Sequence, residues 1–165
     1  MSYINLILGV KMRIKFLVLI AVFVFLYSCA TAPKARVIQN SFPIDASYDT
    51  VWSALIETFA EMQFPIDNME KDSGLIVTDW INIRGEGNEG CCDCGGLGVN
   101  TEVSREAKFN VFVKKVSENS CEVKVNCQFQ QGYRFGDGPI YVRECVSTGN
   151  LEGRIFDSVE TKTSM

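Results

Sequence analysis

Seven cysteines and no histidine set the chemistry open to this chain. Three thiols fall close together, at Cys91, Cys92 and Cys94, and the others stand singly at Cys29, Cys121, Cys127 and Cys145. Sulfur in such a pattern can ligate a metal, exchange disulfides or form structural bridges. Zinc sites usually space their paired cysteines by two to four residues and often add histidine. The candidate set Cys91, Cys92, Cys94 and Cys145 offers mostly adjacent and one-apart pairs, with Cys91 and Cys94 alone two residues apart and no histidine, so no metal is expected. No Cys-x-x-Cys stands at a helix start, a context that lowers a thiol's pKa for exchange. Without histidine the commonest general base is missing, and the acidic residues show no spacing that singles out a pair. The sequence therefore predicts no enzyme and no cofactor.

Gly85-Glu86-Gly87-Asn88-Glu89-Gly90 formally matches the dinucleotide fingerprint. That fingerprint works because a helix N-terminus then receives the pyrophosphate. Here Cys91-Cys92-Asp93-Cys94-Gly95-Gly96 follows, which does not start a helix, and Glu86 and Glu89 repel phosphate. The segment reads as a surface loop.

The compartment decides what the thiols become. Lys11, Arg13 and Lys15 precede the apolar run Phe16 to Leu26, which ends in Leu26-Tyr27-Ser28-Cys29. This arrangement resembles a bacterial lipoprotein signal with its lipobox. The resemblance implies cleavage after residue 28 and lipidation of Cys29. The three basic residues interrupt the apolar length, so neither Ile4 to Val10 nor Phe16 to Leu26 reaches the ~20 residues of a spanning helix. Met12 also opens a tidy signal by itself, so residues 1–11 need not belong to it. Ala30 to Arg36 is small, polar and proline-interrupted, a short tether of ~15 Å. By the sorting rule of enteric bacteria, Ala30 in place of aspartate implies the periplasmic face of the outer membrane.

Beyond the signal stand 13 basic and 20 acidic residues, about −7 in charge. Such a chain, without a Lys/Arg cluster, does not suit nucleic acid, and it has no polybasic patch for anionic lipid. Export makes disulfides the default fate of the six remaining thiols. Cys121 and Cys127 lie six residues apart on one extended pattern, about 20 Å, far beyond the ~7 Å reach of a bridge. Cys127 with Cys145 is possible across a hairpin.

Positioning these residues falls to one domain, residues 37–160, with 161–165 as a polar tail expected to fray. Val37 to Ile44 reads as an edge strand interrupted by Pro43. Ser47 caps a helix carrying Asp49 in its first turn and a stripe of Val51, Trp52, Leu55, Phe59 and Met62. Phe64 to Met69 and Leu75 to Arg84 read as a hairpin around Glu70 to Gly74. In the second arm Leu75, Val77, Ile81 and Ile83 form the inner set, leaving Ile76 and Trp80 outside as a candidate partner patch. Ala107 to Val116 presents Phe109, Val111 and Val113, and the next strand alternates Cys121, Val123, Val125, Cys127 and Phe129 with polar residues. These odd-numbered sets must pair odd with odd, which predicts a loop of about three or five residues around Ser117 to Ser120. A turn at Gly136 to Pro139 returns the chain through Ile140 to Cys145, and a last helix from about Thr148 buries Leu151, Ile155, Phe156 and Val159. The expected fold class is α+β, an antiparallel sheet with two helices on one face.

Pro43-Ile44-Asp45-Ala46-Ser47-Tyr48-Asp49-Thr50-Val51-Trp52-Ser53-Ala54-Leu55, followed by Asp72-Ser73-Gly74-Leu75-Ile76-Val77-Thr78, resembles the helix-grip domains of the BamC family, lipoproteins of the outer-membrane β-barrel assembly machine. Similar lipoproteins share the later features seen here as Cys92-Asp93-Cys94-Gly95 and Cys145-Val146-Ser147-Thr148-Gly149. The resemblance implies a helix-grip fold, a protein partner in the envelope, and a bridge from Cys145 to Cys92 or Cys94 that anchors the glycine-rich loop. BamC-family members carry two such domains behind a long arm, whereas this chain has one domain and a short tether. Asp49-Thr50-Val51-Trp52-Ser53-Ala54-Leu55 also resembles the opening helix of START-like ligand-binding domains, the basis of an alternative reading as a small-molecule or lipid-binding module.

Cys29→Ala should leave the protein soluble or as uncut precursor in fractionated envelopes. A processed variant that still partitions with membranes would remove the acyl-anchor reading.

Overall fold

The computed structural model describes residues 31–85, 88 and 90–164. The signal, Cys29, and Glu86, Gly87 and Glu89 of the glycine-rich segment lie outside the described residues. The elements are β1 (Ser41–Ile44), α1 (Tyr48–Glu61), β2 (Ile66–Glu70), β3 (Leu75–Thr78), β4 (Ile81–Asn82), β5 (Cys92–Asp93), β6 (Thr101–Ser117), β7 (Ser120–Arg134), β8 (Tyr141–Ser147) and α2 (Asn150–Thr163). They form an α+β domain with one large antiparallel sheet and two helices. The sheet runs β2-β3-β6-β7-β8-β5, with β1 also on β7 and β4 also on β6.

β6 and β7 are its spine. Phe109 faces Cys127, Val111 faces Val125 and Val113 faces Val123, so the odd-numbered apolar sets share one side. The connecting turn holds only Glu118 and Asn119, an even number. A register shift between Lys115 and Ser117 supplies the missing residue. A bulge of this kind adds one residue to one strand, and so does the work expected of an odd-length loop.

Both helices lay their apolar stripes on that odd-numbered side. Val51, Leu55 and Phe59 of α1 and Leu151, Ile155 and Val159 of α2 join Phe109, Val111, Val123 and Val125 in one core. Ser47 caps α1 by accepting the Thr50 amide at 3.3 Å. The polar end of α2 stays helical through Thr163, where Lys162 meets Glu57 at 3.3 Å and Glu61 at 2.8 Å on α1.

Two expected strands are shorter than their patterns. β1 starts at Ser41 rather than Val37 and has β7 as its one partner, an edge position that tolerates the missing donor of Pro43. The arm from Leu75 breaks at Asp79-Trp80, where Asp79 Oδ1 accepts the Trp80 amide at 2.7 Å. The break reverses the facing of β3. Ile76 lies opposite Val111 with no exposed surface, and Thr78 is buried beside it, while Ile81 and Ile83 are the buried positions past the break. The inward spacing from 78 to 81 is odd, so one unbroken alternation cannot describe both halves. Ile76 is therefore a core residue and no part of a partner patch. The Phe109 amide, left without a strand partner at the break, donates to Thr78 Oγ1 at 3.0 Å.

Gly74 shows how tightly the β2–β3 turn is set. Its φ is +70°, its carbonyl accepts the Val113 amide at 2.8 Å, and a Cβ there would collide with the Val113 carbonyl oxygen. Gly136 has φ +52° with open space around it. Gly74→Ala should cost about 2–4 kcal/mol in urea unfolding, and Gly136→Ala about 1 kcal/mol. Equal losses would show that the Val113 carbonyl yields and only the backbone angle matters.

Candidate functional site

The cysteine chemistry gathers where the glycine-rich loop meets β8 and the start of α2. β5 is two residues long and lies on β8, with Cys92 opposite Ser147 and Asp93 opposite Val146. One step further along that register sets Cys94 across from Cys145, and these two are joined by a disulfide with Cα atoms 4.3 Å apart. Of the partners considered for Cys145, the structure uses Cys94. Cys92 and Cys127 are free thiols. The bridge closes 51 residues of chain, worth about 4 kcal/mol in the chain-entropy model.

Hydrogen bonds repeat the tether. The Thr148 amide donates to the Cys91 carbonyl at 3.1 Å, and the Gly90 carbonyl accepts from the Thr148 hydroxyl and, at 3.0 Å, from Asn150 Nδ2. Arg143 reaches the Gly95 and Gly96 carbonyls, each at 3.2 Å. Asp93 accepts amides from Gly95 at 2.9 Å and Lys34 at 3.2 Å, and these two bonds, in that order, hold its carboxyl below the usual carboxylate range.

Under the loop lies a polar network. Gln131 is 1% exposed. Its Nε2 donates to Glu102 at 2.6 Å, and its Oε1 accepts from Arg143 Nε at 2.9 Å and Nη2 at 2.7 Å. Arg105 donates to the same Glu102 oxygen at 2.7 Å, while its buried Nε has no hydrogen-bond partner among the described residues. Glu102, Arg105 and Gln131, with Arg36, Asp93, Cys92 and Cys94, line a cavity of about 500 Å³.

Behind it sits a fully buried carboxylate. Glu152 Oε1 accepts the Ser147 hydroxyl at 2.7 Å, and Ser147 Oγ in turn accepts the Gly149 amide at 3.0 Å. Ser147 thus ties the strand end to the helix through Glu152, and Gly149 takes the N-cap position with φ +87° and no side-chain cap. Burial first, then the Glu152 carboxylate, pushes the Cys127 thiol far up. Burial also raises Cys91, with Arg154 opposing, and drives Cys92 up to about 11 against the opposing charge of Arg105. Thiols so protonated at neutral pH are poor nucleophiles.

The remaining expected site residue lies elsewhere. Trp80 is 38% exposed and lines a smaller cavity of about 290 Å³ with Gln128, Gln130 and Glu144. Gln131 was visible in principle, since it continues the inward series 121 to 129 by one more step. Arg143 stands two residues before Cys145 on the same strand face. Nothing in the sequence marks Glu152, which sits beside Leu151 among ordinary helix-surface residues. No protein-family model matches this chain, and no curated protein matches it.

Peptide mapping of the unreduced protein should recover Cys94 linked to Cys145, and Cys145→Ser should lower stability by about 2–5 kcal/mol. A loss below about 1 kcal/mol would show that the hydrogen bonds alone hold the loop.

Proposed function

We propose that this chain is a non-enzymatic, lipid-anchored envelope protein of the BamC-like, helix-grip kind, standing at the periplasmic face of the outer membrane and binding a protein partner as an accessory to outer-membrane assembly. One surface carries the reading. On the sheet face away from the helices, Leu75 and Val77 are half-buried, Trp80 is 38% and Phe112 46% exposed, and Leu75 lies directly across from Phe112. Lys108, Lys114 and Lys124 share the even-numbered face of β6 and β7 with Phe112. An apolar stripe flanked by these lysines, with Glu70 across from Leu75 and Glu122 across from Lys114, fits a protein partner that brings its own apolar patch and charges of both signs.

A START-like module needs a cavity of some ~300 Å³ or more between sheet and helices. Leu55, Phe59, Phe109, Val111, Leu151 and Ile155 fill that space with no exposed surface. The small-molecule reading instead draws support from the 500 Å³ cavity under the glycine-rich loop. Its charged lining of Arg36, Asp93, Glu102 and Arg105 suits a small polar ligand and not an acyl chain.

Pull-down from crosslinked envelopes with wild type and Phe112→Glu separates the two. The partner reading expects a defined protein captured by wild type and lost with Phe112→Glu, at an unchanged thermal midpoint. Equal capture by both, or a Trp80 fluorescence shielded from quencher in the isolated protein, would overturn it.

A further inference from the structure

Cys92 has no structural duty that requires sulfur. It is a free thiol, nearly buried, with Sγ 3.7 Å from Cys94 Sγ, and the sulfurs of Cys92, Cys94 and Cys145 all lie within 4.8 Å of one another. For a Zn–S bond of about 2.3 Å, tetrahedral geometry sets the sulfur-to-sulfur edge at about 3.8 Å. The Cys92–Cys94 separation already equals such an edge. The third sulfur is held too close to Cys94 only because it is bonded to it.

We infer that Cys92, Cys94 and Cys145 form a redox-gated, three-thiolate site for a thiophilic divalent cation of the zinc class, closed while the Cys94–Cys145 bridge is intact and opened by its reduction. A dithiol reductant supplies two electrons and two protons, the S–S bond cleaves to two thiols, and the reductant leaves as its own disulfide. The cation then displaces three thiol protons to solvent. Cys145 has to move from bonding distance to an edge length, a change within the reach of side-chain rotation. The fourth position opens on the 500 Å³ cavity that Cys92 and Cys94 line, leaving room for a water. Arg105 on the same cavity wall offsets the net negative charge of three thiolates on one dication.

In the sequence, the spacing of Cys91, Cys92, Cys94 and Cys145 and the lack of histidine argue against a metal. The structure keeps Cys91 out of the sulfur cluster and brings in Cys145 through the β5–β8 pairing. The site is independent of the partner face, since it uses no residue of the Leu75, Val77, Trp80 and Phe112 stripe.

Cobalt(II) titration of the full domain tests it, first oxidised and then after reduction with a phosphine that does not bind the metal. The expected result is one equivalent of cobalt with the visible bands of tetrahedral thiolate coordination in the reduced protein only, bleached by Zn²⁺. Cys92→Ser, which leaves the bridge intact before reduction, should weaken binding at least 100-fold, while Cys91→Ser and Cys121→Ser should not. Because reduction removes a stabilising bridge, the thermal midpoint is followed in parallel, and Zn²⁺ should raise it in the reduced protein and leave the oxidised protein and reduced Cys92→Ser unmoved. No thiolate bands on reduction, equal binding by the oxidised form, or binding indifferent to Cys92→Ser would each overturn the assignment.

Discussion

The pairing of β6 with β7 is the constraint on which the rest of the structure depends. Because side chains alternate across a strand, one residue of slip would turn either Phe109, Val111 and Val113 of β6 or Val123 and Val125 of β7 toward solvent and bring lysines of that strand under the helices. Each of those apolar side chains is worth about 1.5–3 kcal/mol when buried. The loss of the three on β6, about 4.5–9 kcal/mol, is comparable to the whole stability of a typical domain, so no slipped pairing competes. The same register builds the polar end. It places Arg105 across from Gln131, and β8 extends the row by setting Arg143 across from Gln131 on the other side. Three strands thereby deliver the network beneath the glycine-rich loop without a contribution from the loop itself. Cys145 reaches its place by the same route, opposite Phe129.

The loop is ordered from outside. Fixing about ten residues costs roughly 10–20 kcal/mol of backbone entropy, and a bridge worth about 4 kcal/mol offsets only part of it. The remainder comes from burial of Cys91, Cys92 and Cys94 and from bonds donated by Arg143, Thr148 and Asn150. These donors sit on β8 or just past it, at the start of α2, so the loop and the helix start are one cooperative unit. Glu152 joins them at the base. A buried carboxylate is costly unless it is bonded, and Ser147, at the end of β8, supplies a bond to one of its oxygens. The chain at this point bonds one oxygen of a buried acid, whose Oε2 has no hydrogen-bond partner among the described residues, and leaves the cap to glycine geometry.

Much of this was legible in the sequence where a periodic pattern ran unbroken. The stripe of α1, its Ser47 cap, the alternation of β7 and the odd-with-odd pairing each rest on a local rule that tertiary structure did not override. The misreadings fall where a pattern is interrupted by something local propensity does not price. Asp79-Trp80 breaks an otherwise good strand because Thr78 Oγ1 can take over the Phe109 amide, and that substitution moved Ile76 from the surface to the core. The bulge before Ser117 is of the same kind, a compensation for a two-residue turn that the sequence does not advertise. The polar network was missed because its members are far apart in sequence, and only the sheet brings Glu102, Gln131 and Arg143 together.

The two surfaces with functional potential occupy different parts of the spine and approach each other at Trp80, which lines one cavity with Cys145. From Arg105 to Phe112 along β6 is seven residues, about 24 Å at the rise of an antiparallel strand. Lys34 bonds Asp93 and Arg36 lines the loop cavity, so the segment ahead of β1 runs along the cysteine end. Separation of this kind lets the two answer to different things. A thiol reductant or cation would act through the loop and the start of α2, whereas a protein would act through β3 and the far half of β6. The sheet joins them through β6 and β7, and α2 touches both the sulfur-bearing loop, where Asn150 bonds the Gly90 carbonyl, and α1.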